Sequence, residues 1–99
     1  MSSASDTLHC IVCAPGEGET WAVMLDLLAP GDALLLLQDG VRAAFQPGIT
    51  LPAGVSGHVL MGDVLTRGLD PQAILGFSAI DEAGFVALAA AKSRQVCWA

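Results

Sequence analysis

Short apolar segments alternate along the chain with stretches in which apolar residues recur at helical spacing. Apolar residues at positions 21, 24, 25 and 28 repeat at the three- and four-residue intervals that place side chains on one face of a helix. The segment 33–37 (ALLLL) is apolar without alternation, which is typical of a strand covered on both faces. We predict strands at 8–13, 33–38, 58–61, 77–80 and 96–98, helices at 20–29, 41–45, 63–67 and 81–92, and a helical turn or loop at 70–75.

This alternation predicts an α/β fold, in which a mostly parallel sheet of four or five strands is flanked by helices. The 99 residues are close to the commonest size of a single domain. We expect residues 1–7 to form a disordered polar tail and residues 8–99 to form the domain. Side chains expected to accept backbone N–H groups where helices or turns begin are Thr20, Asp39, Asp63, Asp70 and Asp81. Gly40 is expected to relax a tight turn after Asp39, and Gly68 to end a helix in the left-handed conformation.

The charge balance excludes several classes of partner. Four Lys and Arg against ten Asp and Glu give a net charge of −6, so direct, tight binding to nucleic acid is not expected. The apolar runs are far shorter than the roughly 20 residues that cross a membrane. The first residues, MSSASDT, do not resemble a secretory signal. With three cysteines, an odd number, the sequence indicates free thiols in a reducing cytoplasm.

The apolar content is high for so short a chain. Apolar residues make up 54% of the sequence before its 11 glycines are added, whereas apolar residues and glycine together make up about 45–50% of an ordinary domain. A small monomer has little interior in which to bury such a surplus. We therefore expect a permanent protein partner.

The residues that carry chemistry do not form a recognisable catalytic, cofactor or metal site. Cys10 and Cys13 lie three residues apart on a predicted strand and should face opposite sides of the sheet, so they are not expected to chelate a metal together. Cys10 is expected to be buried, and Cys13 to lie at the strand end where the loops of ligand sites begin. Cys97 lies near the C-terminus, either packed in a final strand or exposed as a thiol. His9 and His58 are interpreted as structural histidines.

Five segments in order resemble the DsrH/TusB family, the small subunits of cytoplasmic sulfur-relay complexes. They are 31–44 (GDALLLLQDGVRAA), Leu8-His9 followed by Pro15, 63–69 (DVLTRGL), Ile80-Asp81 followed by 84–88 (GFVAL), and Trp98. The resemblance spans about residues 8–98. It implies a small α/β fold and a heterohexamer with DsrE/TusD-like and DsrF/TusC-like subunits, which passes sulfur to a DsrC/TusE-like acceptor.

In that family the complexes serve 2-thiolation of tRNA wobble uridine or intracellular sulfur oxidation, and the principal persulfide cysteine belongs to the TusD/DsrE subunit. DsrH proteins of sulfur oxidisers carry a second cysteine in the first helix, where this sequence has Met24, and a thioether cannot form a persulfide. The resemblance therefore favours a non-catalytic subunit that is not an enzyme by itself. Two alternatives remain open: a sulfurtransferase subunit that carries persulfide on Cys13 or Cys97, and a binding module unconnected with sulfur.

Overall fold

The computed structural model of the chain describes residues 6–16 and 18–99, and within them it contains five strands in one parallel sheet. The strands are β1 (Thr7–Ile11), β2 (Ala33–Leu36), β3 (Ser56–Leu60), β4 (Ser78–Ile80) and β5 (Arg94–Trp98). The helices are α1 (Thr20–Leu27), α2 (Met61–Thr66) and α3 (Glu82–Ala91), with 3₁₀ segments at Gln38–Phe45 and Pro71–Ala73. The strand order is β4-β3-β2-β1-β5, and each neighbouring pair is parallel. The predicted α/β architecture is confirmed. Of the predicted N-terminal tail, residues 1–5 lie outside the described residues, and β1 already begins at Thr7.

One face of the sheet is covered by α1 and by the segments that follow β2 and β3. Ile11 and Leu36 point to this face and are buried against Trp21 and Met24 of α1. Val64 of α2 completes the same core. The helical spacing of the α1 residues and the alternation of side chains along a strand together account for this contact.

The opposite face is covered more thinly, by α3. Leu8, Cys10 and Leu35 are buried on this face, and Phe85 of α3 packs against them while remaining partly exposed. Within α3, all of which the structure describes, no residue reaches full burial. All five residues of β5, the edge strand beside β1, are exposed or only half-buried. Burial on both faces explains why the sequence of β2 is continuously apolar.

The ends of α1 differ from the prediction. The helix begins at Thr20 as expected, but Thr20 does not cap it, because the N-cap position is Glu19 and no side chain makes a capping hydrogen bond. The Thr20 hydroxyl instead donates to the Ala99 carbonyl oxygen at 3.2 Å, a partner 79 residues away. The helix ends at Leu27, since Leu28 already has an extended backbone.

Three of the predicted turn residues have the expected roles. The Asp70 carboxylate accepts a hydrogen bond from the Gln72 N–H at 2.9 Å and opens the short 3₁₀ segment. The Asp81 carboxylate accepts from the Gly84 N–H at 2.8 Å and caps α3. Gly68 follows α2 with a φ of +69°, the left-handed conformation in which glycine is least strained.

Candidate functional site

The carboxyl ends of β1, β2 and β3 meet at one edge of the sheet, which is where open parallel sheets commonly bind ligands. The Arg67 Nε donates to Asp39 Oδ1 at 2.9 Å, which joins the segment after α2 to the segment after β2. The Gln38 N–H donates to Asp63 Oδ2 at 2.6 Å and links the segment after β2 to the first turn of α2. We call Gln38, Asp39, Asp63 and Arg67 the carboxyl-edge cluster.

Two aspartates have roles that differ from the prediction. Asp39 was expected to accept backbone N–H groups, but its carboxylate pairs with Arg67, and the N-cap position of the 3₁₀ helix is Leu37 without a side-chain hydrogen bond. Asp63 was expected to cap α2, yet α2 follows β3 directly, so Asp63 lies within the first turn. From there it reaches the Gln38 N–H, where the backbone has a φ of +50°.

In the Asp39–Arg67 pair the carboxylate is exposed to solvent and the Arg67 side chain is half-buried. The hydrogen bond from Arg67 lowers the pKa of the Asp39 carboxyl, and the positive charges of Arg67 and Arg42 act in the same direction. Asp39 therefore stays ionised at neutral pH. The pair offers an approaching protein a carboxylate and a guanidinium held in fixed positions.

Glycine is required at position 40 because the backbone of the 3₁₀ helix lies very close to the end of β1. The sequence had predicted a different reason, the relaxation of a tight turn. A Cβ atom at this position would overlap the Ile11 carbonyl oxygen. That oxygen accepts a hydrogen bond from the Leu37 N–H at 3.0 Å, so the end of β1 is held tightly against the start of the 3₁₀ helix. The close approach sets the position of the carboxyl-edge cluster.

Cys13 lies just beyond β1 at the same edge and is half-buried against the α1-side core. Its carbonyl oxygen accepts a hydrogen bond from the Trp21 Nε1 at 2.7 Å. Cys10 packs in the opposite core, so the prediction that the two cysteines face opposite sides of the sheet is confirmed. Among the described residues, no group of three or more His, Cys, Asp or Glu side chains is placed to hold a metal ion.

A second polar cluster, the His9–Asp32–Trp98 network, joins the middle of β1 to β5 and to the residue before β2, and its His9 and Asp32 side chains are buried. The Trp98 Nε1 donates to His9 Nδ1 at 3.1 Å, and His9 Nε2 lies 3.1 Å from Asp32 Oδ2. The Asp32 side chain also accepts from the backbone N–H groups of Thr7 and Ala29, each at 3.0 Å. An indole N–H only donates, so Nδ1 must accept, and the ring proton is assigned to Nε2, which donates to the carboxylate.

This network resembles part of a catalytic triad only superficially. In a triad the nitrogen opposite the carboxylate faces a nucleophile, whereas here that nitrogen is occupied by the Trp98 indole. The network therefore fixes the edge strand β5 to β1. Both ring nitrogens of His9 have a partner in the network, as expected for a structural histidine.

His58 is the other predicted structural histidine, and it is only partly satisfied. Its Nε2 lies 3.1 Å from the Ser56 hydroxyl, while its buried Nδ1 has no hydrogen-bond partner among the described residues. Burial lowers the pKa of His58 below its ordinary value of 6.5, and the positive charge of Lys92 lowers it further. The neutral ring is therefore favoured at pH 7.

Comparison with known proteins identifies the family. The model of the family described as "DsrH like protein" matches residues 14–95. The chain belongs to the DsrH/TusB family. The protein TusB of Shigella sonnei is 39% identical over 95 residues, which cover 92% of this chain and 99% of that protein. The proteins TusB of Shigella flexneri and of Escherichia coli O9:H4 are each 39% identical over 82 residues, which cover 79% of this chain and 86% of those proteins.

The two longest segments that resemble the DsrH/TusB family, 31–44 and 63–69, contact each other in the structure. The first contributes Gln38 and Asp39 to the carboxyl-edge cluster, and the second contributes Asp63 and Arg67. The first segment also supplies Asp32 to the buried network, whose other side chains come from two of the three remaining matched pieces, Leu8-His9 and Trp98. The sequence singled out Asp39, Asp63 and His9. It did not single out Gln38 or Asp32, because their pairings join positions 23 or more residues apart and leave no local signal.

Proposed function

We propose that this chain is a non-catalytic subunit of a cytoplasmic sulfur-relay complex that serves 2-thiolation of the tRNA wobble uridine. Membership of the DsrH/TusB family supports the sulfur-relay assignment. In this role the chain completes the assembly and presents a docking surface, while the principal persulfide cysteine belongs to a related subunit. Within the described residues no helix is long and apolar enough to cross a membrane.

The observation that carries the proposal is the exposed apolar surface of α3. Four small or apolar residues on α3 follow each other at intervals of three, one and three residues and form one exposed stripe: Ala83, Val86, Ala87 and Ala90. Val86 is 68% exposed. A helix that is apolar on all sides is normally buried, and an apolar patch of this kind is typical of a protein interface.

The partner we assign to this stripe is a related α/β subunit of the DsrE/TusD or DsrF/TusC type. The stripe carries no charge, so it suits an apolar surface of similar shape, as in permanent assemblies. The carboxyl-edge cluster lies at the ends of the strands, is polar, and exposes Gln38 and Asp39 to solvent, which suits the transient docking of a DsrC/TusE-like acceptor. The proposed complex is a heterohexamer with two copies of each subunit.

The interface is tested by placing a charge in the stripe. Val86→Asp should abolish co-purification with the two related subunits, because an unpaired carboxylate would be buried in the contact. Val23→Asp is the matched control, since Val23 is 48% exposed but lies on α1, on the other side of the sheet. Both variants should keep the wild-type circular dichroism spectrum. Co-purification of the Val86 variant at wild-type yield would contradict the proposed interface.

The alternative is a subunit that carries persulfide on its own cysteine. Cys97 is exposed and Cys13 is half-buried at the carboxyl edge, so each is within reach of a sulfur donor. The two proposals differ in one outcome. A carrier loses sulfur transfer when its cysteine is replaced, whereas a non-catalytic subunit keeps it.

A further inference from the structure

Cys10 and Cys97 are direct partners on two neighbouring parallel strands. The register of β1 and β5 pairs Cys10 with Cys97, so both side chains leave the sheet on the same face. Cys10 is buried at 1% exposure, whereas Cys97 is exposed. The two thiols therefore lie side by side at the border of the area that α3 covers, one beneath it and one outside it.

The spacing of the strands brings these thiols within bonding range. Neighbouring strands lie about 4.7–4.9 Å apart, and the Cα atoms of disulfide-bonded cysteines are usually about 4.4–6.8 Å apart. The side chains are close enough for the Cys97 thiol to raise the pKa of Cys10 by direct interaction. The Gln95 amide, from the next inward-facing position of β5, approaches the Cys10 sulfur at 3.7 Å.

We propose that Cys10 and Cys97 form a reversible dithiol–disulfide site that reacts with low-molecular-weight disulfides. In the first step the Cys97 thiolate attacks the small disulfide, forms a mixed disulfide and releases one small thiolate. In the second step the Cys10 thiolate attacks the Cys97 sulfur, forms the Cys10–Cys97 bond and releases the second small thiolate. Each protein thiol loses one proton to solvent, the protein is oxidised by two electrons, and the small disulfide is reduced to two thiols.

The surroundings of the two sulfurs determine this order. Cys97 is accessible and meets the reagent first, whereas Cys10 is buried in the cluster against which Phe85, Leu88 and Ala89 of α3 pack. Burial raises the pKa of Cys10 to about 11, and the neighbouring Cys97 contributes in the same direction. The neighbours that we find for Cys10 from α3 are apolar, and those from β5 are the Gln95 amide and the Cys97 thiol. The second step should therefore be slow at neutral pH.

The test treats the purified, reduced full chain with glutathione disulfide and follows its mass and peptide map. The expected product has lost two hydrogen atoms and contains a single cross-linked peptide pair that joins Cys10 to Cys97, with Cys13 free for alkylation. Because only thiolate attacks, the second step should accelerate by about tenfold per pH unit between about pH 7 and 9. A second step whose rate does not change with pH would overturn the assignment of Cys10 as the attacking thiol.

Single substitutions separate the two roles. Cys10→Ser should stop the reaction at one glutathionyl group on Cys97, and Cys97→Ser should leave Cys10 unmodified. The matched control, Cys13→Ser, should give the wild-type cross-link. A wild-type chain that stops at the mixed disulfide, or that forms a Cys97–Cys97 dimer instead, would overturn the proposal. None of these outcomes depends on sulfur-relay activity, so the proposed function stands or fails separately.

Discussion

Removing the Asp32 carboxylate should destabilise the fold more than any exposed substitution, because it is the acceptor at the centre of the buried network. Asp32 is 2% exposed and His9 is 5% exposed. In Asp32→Ala the His9 Nε2–H and the Thr7 N–H both lose their acceptor inside the protein. The Ala29 N–H, two residues after α1, loses a third hydrogen bond, which is partly buried.

The magnitude follows from the number of buried donors left unpaired. Each costs about 1–3 kcal/mol, so two of them reduce the free energy of unfolding by about 2–6 kcal/mol. The total stability of a domain of this size is about 5–15 kcal/mol. The alanine variant should therefore lose a large part of its stability, and a milder substitution provides a second point on the same scale.

Asp32→Asn is that milder substitution. Its carbonyl oxygen can still accept from His9 Nε2–H and the Ala29 N–H, but its amide group then faces the Thr7 N–H, a donor against a donor. The opposite amide orientation would force the ring proton of His9 onto Nδ1, against the Trp98 indole. The first orientation leaves one mismatch and the opposite one leaves two, because the Ala29 N–H would then also face the amide group. The first is therefore favoured, and we expect a loss of about 1–3 kcal/mol.

Urea unfolding, monitored by tryptophan fluorescence and circular dichroism, measures both variants. The expected order of stability is wild type, then Asp32→Asn, then Asp32→Ala. Asp26→Asn is the control, because Asp26 is an exposed residue of α1 and its replacement should change the free energy of unfolding by less than about 0.5 kcal/mol. If the free energy of unfolding of Asp32→Ala stays within about 1 kcal/mol of the wild-type value, the network does not stabilise the fold.

Three further predictions concern single residues. Gly40→Ala should lower the free energy of unfolding by about 1–3 kcal/mol, because its methyl group meets the Ile11 carbonyl oxygen; an unchanged urea midpoint would contradict the close approach. His58→Gln should flatten the pH dependence of stability below pH 7. Because the pKa of His58 is lowered in the fold, the unfolded wild-type chain binds more protons as the pH falls through 6.5, and the wild type loses stability. Free energies of unfolding that vary with pH in the same way for the two proteins would refute this. Arg67→Gln breaks the pair with Asp39 and should lower the free energy of unfolding by less than about 1 kcal/mol. It should weaken binding of the sulfur acceptor, which calorimetry measures. An unchanged affinity would show that the carboxyl edge is not the docking surface.

The central part of the fold was predictable because a strand that is buried on both faces has an unbroken run of apolar residues. The unbroken apolar run at 33–37 identified β2, and the helical spacing of Trp21 and Met24 identified α1. Asp70 and Asp81 were assigned correctly since each bonds an N–H two or three residues ahead. Such contacts are local, so the order of residues along the chain is enough to specify them.

The candidate site was predictable only as a set of residues. Asp39 and Asp63 were predicted to cap the helices next to them in the sequence, but their partners lie 28 and 25 residues away. These pairings form only because α2 packs against the 3₁₀ helix. The indole of Trp98 reaches His9 across 89 positions because parallel pairing places β5 beside β1. The register that aligns Cys10 with Cys97 has the same origin, and no spacing rule along the sequence specifies it.

The most direct measurement of the central claim is transfer of labelled persulfide sulfur from the assembled complex to its acceptor carrier. The two related subunits are combined with this chain, with its triple variant Cys10→Ala, Cys13→Ala, Cys97→Ala, or with no third subunit, and assembly is checked on each sample. We predict that omission of the chain reduces transfer, and that the cysteine-free variant restores it to within about threefold of wild type, since loss of a true nucleophile costs orders of magnitude. Intact assembly with abolished transfer in the triple variant would contradict a non-catalytic subunit and make this chain a sulfur carrier.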